Sequence, residues 1–257
     1  MNPILINLGN IEIRWYSVLI LMAFTIGYFI VINKCKKENI DLTLISDLCF
    51  YVVIFCILGA RIYYCLFNLD YYSKNIVDIF KIWEGGLAIH GGIIAGILTA
   101  YFYTKKKKLP FLKIVDIFIP ALVLGQAIGR WGNFFNMEAY GSETTLLELQ
   151  KLGIPNFIIN GMNINHTYYH PTFLYESLGC LIIFIIILII RNFKKIKTGF
   201  ITGIYFILYG IIRFFIEGLR QDSLMLLNIK VAQLISIIMI IVGMLLIIKN
   251  QKFKKTS

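Results

Sequence analysis

The residues able to do chemistry lie in a few short strings. Tyr209, Arg213, Glu217 and Arg220 are spaced four, four and three, so a helix carries all four on one face. The string GRWGNFFNMEAYG, Gly129 to Gly141, holds Arg130, Asn133, Asn136 and Glu138. Arg130 is expected at a depth similar to Arg213, with no carboxylate beside it. A guanidinium is a planar, permanently charged fork matched to phosphate oxygens, and asparagines add neutral donors and acceptors. Together they read as a phosphate or lipid-headgroup site. His90 is bracketed by Gly85, Gly86, Gly91 and Gly92, which leave room for a ligand or another backbone. It fits a proton acceptor and a hydrogen-bonded structural residue equally well. Gly125 and Gly129, four apart, suit close helix packing. No HExxH, HxxxH or acidic cluster points to a metal, and no GxSxG marks a primed nucleophile. No cofactor is expected.

The elements positioning these residues follow from composition. Of 257 residues, 58% are hydrophobic and 15% charged, against about 25% charged in soluble domains. Crossing about 30 Å of hydrocarbon takes roughly 20 apolar residues. Seven such stretches occur, at 15–33, 45–67, 86–104, 111–131, 172–190, 199–217 and 229–248. The net charge of +11 does not imply nucleic acid, because sixteen of the 25 basic residues border these stretches, in 34–37, 105–113, 191–197 and 249–255. Only six fall in the opposite connections and the N-terminal tail. That bias predicts an all-α, seven-span membrane protein with its N-terminus outside and C-terminus cytoplasmic.

This topology sends Tyr16, Arg61, His90, Arg130, Glu176 and Arg213 to one outer depth, and leaves Asp47 and Asp116 at inner ends as solvated or capping residues. The first fourteen residues lack the basic region of a cleavable leader. The segment 132–171 is too long for a simple connection and predicts a small outer head within a single domain, 1–257. Cys35, Cys49, Cys56, Cys65 and Cys180 form no CxxC and read as small hydrophobes. Lys105–Lys108 suits either anionic headgroups or a solvated topology signal.

GRWGNFFNMEAYG closely resembles the signature of the bacterial prolipoprotein diacylglyceryl transferases. HGG at 90–92, YHPTFLYES at 169–177 and YGIIRFFIEGLRQD at 209–222 resemble that family's other stretches, in the same order. WYS at 15–17 and GAR at 59–61 resemble its first- and second-span elements, so the likeness covers nearly the whole chain. Phe173 departs from the pattern, standing where a polar residue, usually Gln, is expected.

The resemblance implies an inner-membrane enzyme with its site on the outer side. It would move diacylglyceryl from phosphatidylglycerol to the lipobox cysteine of a prolipoprotein, releasing glycerol phosphate. Arg130 would bind the phosphate, and Tyr16, His90, Asn133, Glu138, Gly141, Tyr209 and Arg213 would be further functional positions. Arg61, Glu176, Glu217 and Arg220 are expected to line the substrate. Two other readings are a transporter for an anionic solute, which would place polar residues at several depths, and a lipid-binding membrane protein without chemistry.

Overall fold

Long apolar runs with few charges can satisfy their backbone polar groups in a bilayer only as helices, and the chain is built accordingly. A computed structural model describes residues 2–7, 9, 12–193, 196–221, 223–227 and 229–252. Asp222, which ends the fourth resembling stretch, and the basic residues 194, 195, 254 and 255 lie outside the described residues.

In chain order, a hairpin of β1 (Ile4–Asn7) and β2 (Glu12–Arg14) precedes α1 (Trp15–Lys37) and α2 (Leu42–Leu66). A short α3 (Leu69–Tyr72) and two 3₁₀ turns lead into α4 (Ile89–Lys106) and α5 (Phe111–Asn136). Next come β3 (Glu143–Thr144), α6 (Leu146–Lys151), α7 (Asn156–Gly161), β4 (Asn163–Ile164) and β5 (Thr167–Tyr169). The chain continues through α8 (Thr172–Ile190), α9 (Phe200–Leu219), the hairpin β6 (Met225–Leu226) and β7 (Ile229–Lys230), and α10 (Val231–Lys252).

Each of the seven expected stretches carries a long helix, although 86–88 precede α4 and 229–230 form β7. Six of these helices, α1, α2, α5, α8, α9 and α10, are long and apolar enough to cross a membrane. Helix α4, at 18 residues, falls short because His90, its glycines and its terminal lysines dilute its apolar content. The short strands add a little β-structure to the expected all-α architecture.

The chain forms two compact units, residues 1–31 with 115–257 and residues 32–114, with the boundaries inside α1 and α5. In the second unit α2 packs on α4 through Gly59 and Gly91. A side-chain carbon on Gly91 would overlap Gly59 and Tyr63. Lys34 and Lys113 both pair with Glu38, at 2.9 and 3.0 Å. Partial burial raises the Glu38 pKa, but hydrogen bonds from these two ammonium groups outweigh it and hold it below the ordinary value.

In the first unit, Ile119, Val123, Ala127, Cys180, Ile183, Ile187, Ile201 and Tyr205 bury a core between α5, α8 and α9. Helix α9 starts at Gly199, which has φ +87°. Asp116 accepts from Thr202 N at 2.8 Å and Thr202 Oγ1 at 2.6 Å, so this aspartate caps the start of α9. Between α5 and α8 the chain folds into short elements, referred to below as the head, with β5 between β3 and β4 in an antiparallel sheet. A Thr145–Glu148 capping box starts α6. The head's core joins Phe134, Leu149, Ile154, Ile158, Ile159, Met162 and Phe173. Phe173 stacks on Phe134 at 4.7 Å, so the position expected to be polar is filled by an aromatic pair. All five cysteines are free thiols.

Candidate active site

Five helix ends of the first unit converge at one end: the starts of α1, α8 and α10 and the finishes of α5 and α9. Glu176, in the second turn of α8, is the hub. It is 1% exposed. Arg130 on α5 donates to its Oε1 at 2.6 Å, Tyr209 on α9 to the same oxygen at 2.9 Å, and Arg213 to Oε2 at 3.2 Å. Arg213 Nη2 also lies 2.6 Å from Glu217 Oε2, one turn along α9, in an ion pair that lacks hydrogen-bond angles.

One expectation is corrected here. Arg130 does have a carboxylate beside it, supplied by α8, 46 residues away in sequence. Glu217 pairs with Arg213 at the i,i+4 position. Both glutamates are buried, Glu217 being 3% exposed, and they underlie the arginines. The arginine side chains are 23% and 16% exposed. A guanidinium has five N–H donors, more than these partners use. The carboxylates thus fix the two forks and balance their charge, while part of each fork remains open.

The end of α5 continues the site. Arg130 Nη1 approaches Asn133 Oδ1 at 3.5 Å. Asn133 and Asn136 both donate to Glu138 Oε1, at 2.9 and 3.3 Å. Met137 and Ala139 have φ of +51° and +57° there, and the bent chain lets Ala139 O accept from Thr172 Oγ1 at 2.6 Å. Gly141 donates its N–H to His170 O at 2.9 Å and bridges to Arg220 through the main chain. A side-chain carbon on Gly141 would press on His170 and Thr172.

Tyr16, in the first turn of α1, is exposed, and its ring covers Gly132, where any side-chain carbon would overlap it. Helix α1 therefore comes close to α5 at Gly132, and again where Gly27 faces Ala121. Gly125 meets nothing within 4 Å, and Gly129 only Ile20 at ordinary contact distance.

His90 and Arg61 belong to the second unit. His90 is exposed at the start of α4, with its ring 6.2 Å from that of Tyr63. Two of the glycines around it serve packing: Gly91 faces Gly59, and Gly86, with φ +72°, sits against Arg61, while Gly85 borders open space. Arg61 is 6% exposed, and its five N–H groups donate to the carbonyls of Asp78, Ile79, Lys81, Gly85 and Gly86. Its ring neighbour is Tyr72. With every donor committed, Arg61 anchors the 78–86 segment and has none left for substrate.

Sequence reasoning missed two supports. Trp131 Nε1 donates to Ser177 Oγ, which donates to Ala127 O, locking α8 to α5 beside Glu176. Both residues lie inside the resembling strings, so the signal was present. Lys230 Nζ donates to the carbonyls of Glu217, Gly218 and Arg220 at 2.7, 3.3 and 2.7 Å, capping the end of α9. Nothing in its spacing announced that.

The profile of the prolipoprotein diacylglyceryl transferases matches residues 3–249. A phosphatidylglycerol–prolipoprotein diacylglyceryl transferase of Finegoldia magna is 47% identical over 98% of this chain and 97% of its own. A protein of the same name from Clostridium novyi is 46% identical over 100% and 99%. Another, from Listeria innocua, is 44% identical over 96% and 89%.

Proposed function

Since the chain belongs to the prolipoprotein diacylglyceryl transferase family, we propose that the cluster around Glu176 is where the family's reaction takes place. The enzyme transfers diacylglyceryl from phosphatidylglycerol to a prolipoprotein, the first step of lipoprotein maturation. The acceptor is the lipobox cysteine thiol. Its sulfur attacks the glyceryl carbon that carries the phosphodiester, the carbon–oxygen bond breaks, and glycerol phosphate leaves with the electron pair.

A free thiol is only a few per cent thiolate near neutrality, and the departing phosphate gains charge. The observation that carries the assignment is the pair of guanidinium groups, on α5 and α9, oriented by one buried carboxylate on α8. Their open N–H groups bind the phosphate and stabilise the charge that develops on it; one such donor is worth about 2.7–4 kcal/mol. Glu176 and Glu217 act through the arginines. They let two cations sit at the end of an apolar bundle without being stranded before substrate arrives. Asn133 and Glu138, held together, address the glycerol hydroxyls of the headgroup. Tyr16 and Gly141 shape the walls, and Tyr209 secures Glu176. His90 is the candidate acceptor of the thiol proton, since an imidazole nitrogen can act as a general base.

The site faces the outer side of the bacterial inner membrane, where exported substrates arrive. A transporter is disfavoured because, in the first unit, the arginines and buried glutamates cluster at one end of the helices. The test uses purified enzyme, a lipobox peptide and one donor lipid at a time. Phosphatidylglycerol should add a diacylglyceryl mass to the peptide only when its cysteine is intact, and phosphatidylethanolamine, whose ammonium would face the arginines, should not. Equal rates with both lipids would remove the arginine headgroup site.

A further inference from the structure

The second unit holds a cavity the transfer reaction does not use. It has a volume of about 570 Å³ and lies between α2 and α4, lined by Asp47, Tyr51, Phe55, Leu98, Thr99, Phe102, Tyr103, Lys106 and Lys107. It opens at the start of α2 and the finish of α4, the opposite end of this helix pair from Arg61 and His90. One part of the lining is apolar, with Phe55, Leu98 and Phe102 exposed on the helix flanks where a bilayer would lie. The other part is cationic. Among the described residues Lys106 and Lys107 form no ion pair, and Lys107 Nζ rests 5.9 Å above the Tyr103 ring. Tyr103 Oη is buried beside the Asp47 carboxylate, the one acidic group of the lining.

We propose that this cavity holds an anionic phospholipid as a bound, non-reacting lipid. Its phosphate lies between Lys106 and Lys107, and an acyl chain runs along Tyr51, Phe55, Leu98 and Phe102. The apolar flank selects a lipid over a soluble anion, which would have no use for it. Asp47 opposes the anion, so the site carries one net positive charge. One charge near a membrane surface is worth about 1 kcal/mol, which is about a fivefold preference for an anionic over a zwitterionic lipid.

The experiment puts the full-length enzyme in nanodiscs containing diazirine-tailed phosphatidylglycerol or diazirine-tailed phosphatidylcholine, without peptide acceptor, and maps the adducts after irradiation. The anionic probe should label the 51–55 and 98–103 peptides about fivefold more than the zwitterionic one. Lys106→Gln with Lys107→Gln should bring the two probes to parity, with transfer activity retained. Thr99→Phe, which fills the cavity and keeps every charge, should abolish labelling at an unchanged melting temperature. Equal labelling by both probes, or labelling untouched by either variant, overturns the proposal. So does displacement of the adducts by excess inorganic phosphate, which would make this a soluble-anion site.

Discussion

At the scale of single residues, the site separates groups that touch the phosphate from groups that aim them. Arg130 and Arg213 are of the first kind. Replacing Arg130 with Gln removes a donor that matters most as the leaving group gains charge, so transfer should fall about 10²-fold, from roughly 3 kcal/mol. Arg130→Lys keeps the charge and loses the fork and should also be severely impaired. Arg213 needs a more careful experiment, because Glu217 is buried beside it. Arg213→Gln strands that carboxylate and should destabilise the fold by about 3–5 kcal/mol, confounding any rate. Arg213→Met with Glu217→Gln removes both charges together and should recover much of the melting temperature while remaining inactive. A stable double variant with parental rate per folded molecule would take Arg213 out of the reaction. Glu176→Gln tests the aiming role. It keeps size and one acceptor but removes the charge that holds three donors on two helices, so both the melting temperature and the transfer rate should fall.

At the scale of elements, small residues decide how near the helices come. Helices α9 and α10 close through Gly203, Gly210 and Gly243. A side-chain carbon on Gly210 would stand 2.9 Å from Ser236 O, and one on Gly203 would stand 3.0 Å from Gly243 O. Gly210→Val, one residue beyond Tyr209, should therefore push α10 from α9 and shift the arginine end, lowering melting temperature and transfer together. Gly125→Ala, with nothing within 4 Å of the new carbon, should change neither. Thermal melting in detergent beside the peptide assay checks both. These two glycines also show what was legible in the chain. The helices were readable because apolar length and flanking charge are local properties, and each of the seven stretches carries a long helix. Glycine spacing showed that close packing occurs but not where, since the partner surface is remote in sequence. Gly125 and Gly129 fit a packing motif and Gly132 makes the contact. The same limit hid the Arg130–Glu176 pair, whose members are separated by the whole head, and the Lys230 cap. Arg61 looked like a substrate ligand because its depth was readable and the five carbonyls around it were not.

At the scale of the whole molecule, the open question is parity: whether α4 crosses the membrane together with the six longer apolar helices. Its 18 residues span about 27 Å, just short of the hydrocarbon thickness of about 30 Å, and Lys105 and Lys106 can extend to the interface from its end. Charge distribution makes a sharper prediction than length. If α4 did not cross, 105–113 and 191–197, with nine basic residues, would share a side opposite to 34–37, and the positive-inside bias would collapse. With α4 crossing, the four basic segments lie on one side, and the head and the arginine cluster on the other. A cysteine-free chain given Lys37→Cys, Lys105→Cys or Gln150→Cys, one at a time, reads this directly. A membrane-impermeant thiol reagent on intact cells should reach position 150 and leave 37 and 105 unlabelled until the membrane is opened. Positions 37 and 150 behaving alike would mean that α4 stays on one side. Labelling of 37 and 105 with 150 protected would invert the protein and put Arg130 and Arg213 at the cytoplasmic face, away from the exported cysteines on which they are proposed to act.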